Sequence, residues 1–379
     1  MNIKINKKSF IHQTLILIAA WSSFIKMAVN EQIHDILAVI SVAFGCILFV
    51  YAACKLKIPQ KIFIIWIIFV LFGFLNIIFV GNLYITVFAS IMLSYFPISL
   101  NLAYAPKLHL NLWKINYIIV GLYLIYRMAN SPDGILLFHN LSRNNLSVLL
   151  LAWLIIYAVA SKKNNREIPL WSISFYCFCC IFAVGRFGIF VASIIFLEFW
   201  IYGYFYKSHH KLRVQPRFFI GVSGVILAIL IFYNFRRLLL GKVFSRFAEI
   251  GFTGIEDRLG MSIDYFREWN TLKSIILGAD RTNIPSIVIR SGNPHNSYVF
   301  SHMYFGIIGL SFLVFGAVIT TIYFYKTKQF EMMILAFGYF LRIFSDSVYP
   351  GSFGGDVAYW LFIFFVLWHS RINNFNFKT

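Results

Sequence analysis

Apolar runs long enough to cross a membrane recur from one end of this chain to the other, and no other feature constrains its fold as tightly. Crossing the ~30 Å hydrocarbon core of a bilayer takes ~20 residues of helix, with every backbone N–H and C=O bonded inside the segment. Such runs fall at 10–29, 33–53, 62–80, 83–105, 112–129, 144–160, 168–184, 187–206, 218–233, 298–325, 330–347 and 357–369. They predict an all-α polytopic membrane protein of about twelve transmembrane helices, forming a single membrane domain over residues 1–379. Composition agrees: 60% of residues are hydrophobic and 12% charged, 43 are Phe, and the mean hydropathy is +0.76. The run from Phe10 to Val29 follows Lys4, Lys7 and Lys8 as a signal peptide would. No small-residue cleavage site follows it, so it reads as a retained first helix.

The pI of about 9.7 does not imply nucleic acid, because the basic residues sit in short clusters between spans. With a cytoplasmic N-terminus, alternate loops carry Lys55, Lys57 and Lys61, then Lys107 and Lys114, then Lys162, Lys163 and Arg166, then Lys207, Lys211, Arg213 and Arg217, then Lys326 and Lys328. The positive-inside rule then places both termini in the cytoplasm. Lys26 and Arg342 fall inside spans, and Arg127, Arg143 and Arg186 fall at outer span ends. A cation at membrane depth is costly enough to imply a partner. An anion on the outer face is the natural candidate.

One hydrophilic loop, residues 234–297, interrupts the spans between the ninth and the tenth. Within it Ile255, Leu259, Ile263, Phe266, Leu272 and Ile276 recur at near-helical spacing. They predict an amphipathic helix over 256–277 that Gly278 ends, with its apolar face on the bundle or on the membrane surface. Arg236, Arg237, Lys242, Arg246, Arg258, Arg267, Lys273, Arg281 and Arg290 outnumber the loop's acids, and ordinary solvated surface explains much of that.

His295 and Asn296 close the loop where it runs into the tenth span. Histidine is the side chain whose ordinary pKa lets it take a hydroxyl proton near neutral pH; the alternative is a residue solvated among lipid headgroups. Arg186, in a near-absent turn between Gly185 and Gly188, either forks onto a phosphate or snorkels to the interface. Arg143, His139, Asn140, Asn144 and Asn145 either line a sugar site or serve as turn and capping residues. Asp346 either orients His295 or an acceptor hydroxyl, pairs with an arginine, or is a solvated loop acid. Glu198 and His302 read as neutral, paired residues of the bundle, and Cys46, Cys54, Cys177, Cys179 and Cys180 as buried thiols. The chain has no Walker-type phosphate loop, no HExxH and no acid-rich DxD cluster, so the chemistry expected is free of metal and cofactor.

Gly185, Arg186, Phe187 and Gly188, the arginine-bearing loop helix ending at Leu277 and Gly278, and His295, Asn296 and Tyr298 followed by Gly306 and Gly309 together resemble the O-antigen polymerase and O-antigen ligase superfamily. Phe344 to Asp346 is similar to a late serine-aspartate of some members. The resemblance covers roughly residues 138–346. It departs from the family at Gly185, where serine or threonine is common, and at Tyr304, where an acid often stands. It implies a glycosyltransferase of the bacterial inner membrane, working on the periplasmic face with an undecaprenyl diphosphate-linked oligosaccharide as donor. A flippase and a chain-length regulator would be its partners in surface-polysaccharide and lipopolysaccharide synthesis. His295 and Arg186 would be catalytic, and Arg143, Asn145, Arg246, Arg258, Arg290, Asn296, Tyr298 and Asp346 would bind substrate. The polymerase is the expected member. The alternatives are the ligase, which transfers glycan to lipid A-core, and a flippase or other lipid-glycan transporter.

Overall fold

The computed structural model describes residues 7–29, 31–130, 136–138, 141–142, 144–183, 185–203, 253–289 and 292–376. Within them the chain is helical apart from one short hairpin. Helices α1 (Lys7–Ile25), α2 (Glu31–Lys55) and α3 (Gln60–Phe79) lead into a composite rod, α4 (Ile85–Ser90), a π-helical turn (Ile91–Tyr95) and α5 (Phe96–Tyr104). Then come α6 (Leu110–Ala129), the antiparallel pair β1 (Leu136–Phe138) and β2 (Leu141–Ser142), α7 (Asn144–Lys163), α8 (Leu170–Phe182) and α9 (Arg186–Ile201). After the interval that holds the expected ninth span, α10 (Thr253–Arg267), α11 (Leu272–Leu277) and α12 (Pro285–Val288) precede the long α13 (Ser297–Lys326), α14 (Phe330–Phe344) and α15 (Phe353–Asn376).

Among the described residues six helices are long and apolar enough to span a membrane: Gln32–Lys55, Gln60–Phe79, Ile85–Tyr104, Asn145–Lys163, Ser297–Lys326 and Phe353–Ile372. Ser9–Ile25, Leu170–Phe182 and Phe187–Ile201 are apolar but shorter. Two other expected spans fall below that standard. α14 has only 15 residues, roughly 22 Å of helix, and Lys114, Arg127 and two asparagines dilute α6. The expected span at 218–233 lies outside the described residues.

α7 and α15 form the centre. The whole circumference of α7 from Leu146 to Ala160 is apolar or small and buried, as a helix surrounded by other helices requires. Gly354 lets α15 approach it closely, since a Cβ there would lie 3.1 Å from the Leu149 backbone. Trp360 fills the next layer, 4.9 Å from Phe96 and 5.1 Å from Phe69. α2 and α3 are peripheral and turn Ile36, Val39, Val50, Ile64 and Ile78 outward. Cys46 and Cys54 lie on that outer side and are exposed, against the buried state expected for them; Cys179 and Cys180 are buried as expected.

α13 is two helical segments joined at Gly306, whose φ of 59° and ψ of −153° no helix accommodates. Thirty residues of continuous helix would reach ~45 Å, well beyond the hydrocarbon thickness. The break leaves 297–305 as a short leading segment. A Cβ on Gly306 would stand 1.7 Å from Ile276 O, so the kink is also where α11 crosses. Asn76 and Asn82 secure the crossing. Asn76 Nδ2 donates to Leu277 O at 2.7 Å and Met303 O at 2.8 Å, and Asn82 Nδ2 donates to Ala279 O at 2.7 Å.

The single amphipathic helix expected over 256–277 is divided. Thr271 and Ser274 form a reciprocal capping box that starts α11 afresh, and Gly278 with φ 101° ends it as expected. The expected apolar row is turned outward, with Leu259, Ile263, Phe266, Leu272 and Ile276 exposed. Met261 and Tyr265 provide the buried side instead.

Candidate functional site

The N-termini of α7, α9, α13 and α15 and the C-terminus of α14 lie at one end of the bundle, where α10 also docks. The turn into α13 is built by its own side chains. Asn293 Oδ1 accepts from His295 N at 2.8 Å, which holds His295 in a left-handed conformation with φ 49°. Asn296 then caps the helix, its side-chain oxygen accepting from Tyr298 N at 2.9 Å and Val299 N at 3.4 Å. Ser297 Oγ donates to Asp346 O at 2.6 Å and accepts from Val348 N at 3.0 Å. One hydroxyl thereby fastens the α14–α15 loop to the histidine turn.

That clasp brings Asp346 under His295. His295 Nδ1 stands 3.6 Å from Asp346 Oδ1, and it makes no hydrogen bond among the described residues. Asp346 Oδ2 faces Arg342 Nη2 at 3.4 Å, one helical turn earlier. Arg342 is 1% exposed and is held on its other edge by Ser147 Oγ of α7, 2.8 Å from Nε. Its guanidinium lies 6.0 Å from the Phe187 ring at the start of α9. Arg258 of α10 donates to Ser345 O. Burial pushes the Asp346 carboxyl up; the contact with His295 and the charges of Arg342, His295 and Arg258 together outweigh it and hold the group at about 2. Asp346 is therefore an anion at any ordinary pH.

The arrangement suits proton transfer. A carboxylate beside Nδ1 selects the tautomer with its proton there and leaves Nε2 as the basic nitrogen. The His295 side chain is 30% exposed, so that nitrogen has an open side. Arg258 and Arg342, together with the positive helix ends of α7, α9 and α13, make the same end of the bundle favourable for an anion.

The chain matches no known protein family, no curated protein and no solved structure. Of the expected site residues, His295, Asn296, Asp346 and Arg258 share one cluster. Tyr298 is half-buried beside them, its ring 6.0 Å from Phe344. Arg186 is the first residue of α9, next to Phe187, and Asn145 lies in the first turn of α7, two residues before Ser147. Arg143, Arg246 and Arg290 lie outside the described residues. The oxygen of Asn296 is committed to capping, which leaves its amide nitrogen for a ligand.

Of the two cations expected within spans, Arg342 has Asp346 as its partner. Lys26 donates to Ser90 Oγ at 3.1 Å and lies 5.2 Å from the Tyr95 ring. His302 is paired as expected. It receives Tyr265 Oη at Nδ1 (2.6 Å) and gives Nε2–H to Ile275 O (2.9 Å), which makes it a tether for α10 and α11. Sequence reasoning missed Arg342 and Ser147 as parts of the site. The i, i+4 spacing of Arg342 and Asp346 was the available signal. Asp356, at the start of α15, is a fully buried carboxyl group outside that cluster that accepts from Gly351 N at 2.7 Å. Among the described residues no three His, Cys, Asp or Glu side chains are grouped to hold a metal ion.

Proposed function

We propose that the chain is a membrane glycosyltransferase of the O-antigen polymerase type, joining lipid diphosphate-linked oligosaccharide units at the end of the bundle that carries His295. The observation that carries this reading is the placement of His295 against the buried Asp346–Arg342 pair, with Arg258 of α10 bonded to the neighbouring Ser345 O. His295 Nε2 takes the proton of an acceptor sugar hydroxyl, and the oxygen attacks the anomeric carbon of the donor. The bond from that carbon to the diphosphate oxygen breaks, and its electron pair leaves with the lipid diphosphate. Arg186 and the cluster arginines neutralise that charge as it develops. Asp346 stabilises the imidazolium formed in the step. A single displacement inverts the anomeric centre.

The test is complementation of a polymerase-deficient host that makes the matching glycan, with surface polysaccharide displayed on a gel. A ladder restored by the wild-type chain and cut to one repeat by His295→Ala at equal membrane abundance supports the reading. Full ladders with His295→Ala remove the base, and single repeats with the wild-type chain direct attention to ligation or transport.

A further inference from the structure

The opposite end of the bundle holds a cavity of about 590 Å³ between the C-terminal turn of α7, the 164–167 turn, Gln329 and the last turns of α15. That volume suits a small ligand or a lipid headgroup. Its lining divides by chemistry. Lys162, Lys163 and Arg166 line it against a single carboxylate, Glu167, while Phe365 and Trp368 form an apolar wall.

The two lysines are fixed by the protein. Lys162 pairs with Glu331 at 2.5 Å, and Lys163 donates to Ala103 O and Ala105 O while lying 4.2 Å from the Trp368 ring. Arg166 differs. It is exposed, and its guanidinium makes no hydrogen bond or ion pair among the described residues. Gln329 Nε2 is engaged by His369 Nε2 at 2.8 Å, and Gln329 Oε1 is buried with no donor among the described residues. The cavity thus offers a free guanidinium fork and an apolar side, with Lys163 pinned beside them and Lys162 neutralised by Glu331.

We propose that this cavity binds an anionic phosphate ester, with Arg166 clamping the phosphate and the Phe365–Trp368 wall taking the apolar part of the ligand. Basic pockets between helices at a membrane boundary fit phospholipid headgroups, and Trp368 stands where an interfacial aromatic would. A soluble ester has the same recognition chemistry, so the test separates the two sources. The proposal does not depend on the transferase reading.

The full chain is reconstituted in phosphatidylcholine nanodiscs, with or without phosphatidylglycerol, and with soluble glycerol phosphate added to the phosphatidylcholine discs. Thermal midpoint and lipid retained in native mass spectrometry are read for wild type, Arg166→Gln and Lys61→Gln, the last an exposed cation outside the cavity. Phosphatidylglycerol is expected to raise the midpoint and be retained, with about tenfold weaker binding in Arg166→Gln and no change in Lys61→Gln. The same saturable, Arg166-dependent shift from glycerol phosphate would identify a soluble ester as the ligand. No shift with either probe, a shift that Arg166→Gln leaves intact, or equal losses in both variants overturns the proposal.

Discussion

Asp346 is held by groups from three directions: His295 from the α13 turn, Arg342 from its own helix and Arg258 from α10. Its carboxyl is lowered in the fold relative to an unfolded value near 3.8. It therefore contributes stability that is present above that value and is lost as pH falls through about 2. The contribution is about 2 kcal/mol. Thermal melts of the purified protein should fall between pH 4 and pH 2, and Asp346→Asn should flatten that segment. The same variant leaves Arg342 buried without an anion, so its midpoint at pH 7 should also be lower, by about 3 kcal/mol of stability. His295→Ala removes one of the groups that hold Asp346, so it should melt somewhat below wild type, and at equal membrane abundance it should lose glycan transfer by about a hundredfold or more, read from ladder formation. Asp346 was legible as a loop acid near an arginine. Its burial was not, because it follows from the Ser297 clasp between segments about fifty residues apart.

At the scale of elements, the α11–α13 crossing concentrates the backbone constraints. Gly306→Ala would meet Ile276 O and also demand a positive φ, so it should cost more than about 3 kcal/mol and loosen α10 and α11 together. Gly81, with φ 80° and open space around it, is the control: Gly81→Ala should cost about 1 kcal/mol. Denaturation of both variants beside wild type checks the contrast. The resemblance singled out Gly306 and Gly309 without a reason, and the crossing provides one for Gly306. The apolar period of the loop helix was also legible. Its direction was not, because periodicity reports which residues share a face and not which way that face turns. Here Tyr265, bonded to His302, decides the inward side and leaves Leu259, Ile263 and Phe266 outward.

For the whole molecule, the alternation of basic loops predicts that Lys57 and the 281–283 turn lie on opposite sides of the membrane. Thr282→Cys should react with a membrane-impermeant maleimide in intact spheroplasts, and Lys57→Cys should react only after lysis. Labelling of both without lysis, or the reverse order, would overturn the orientation. The sequence by itself determined that this is a helical chain with several helices long and apolar enough to cross a membrane, where most helices begin and end, and that a histidine stands at the head of a long apolar helix. Those properties reside in local composition and periodicity, which the bilayer thickness converts directly into structure. Only the tertiary structure decided that Arg342 answers Asp346, that Ser147 answers Arg342, that α13 breaks at Gly306 and that Arg166 faces a cavity shared with Gln329 and Trp368. Each of these depends on segments far apart in the chain meeting at one end of the bundle, and the energy of such a meeting is set by packing and burial that no local stretch of sequence contains.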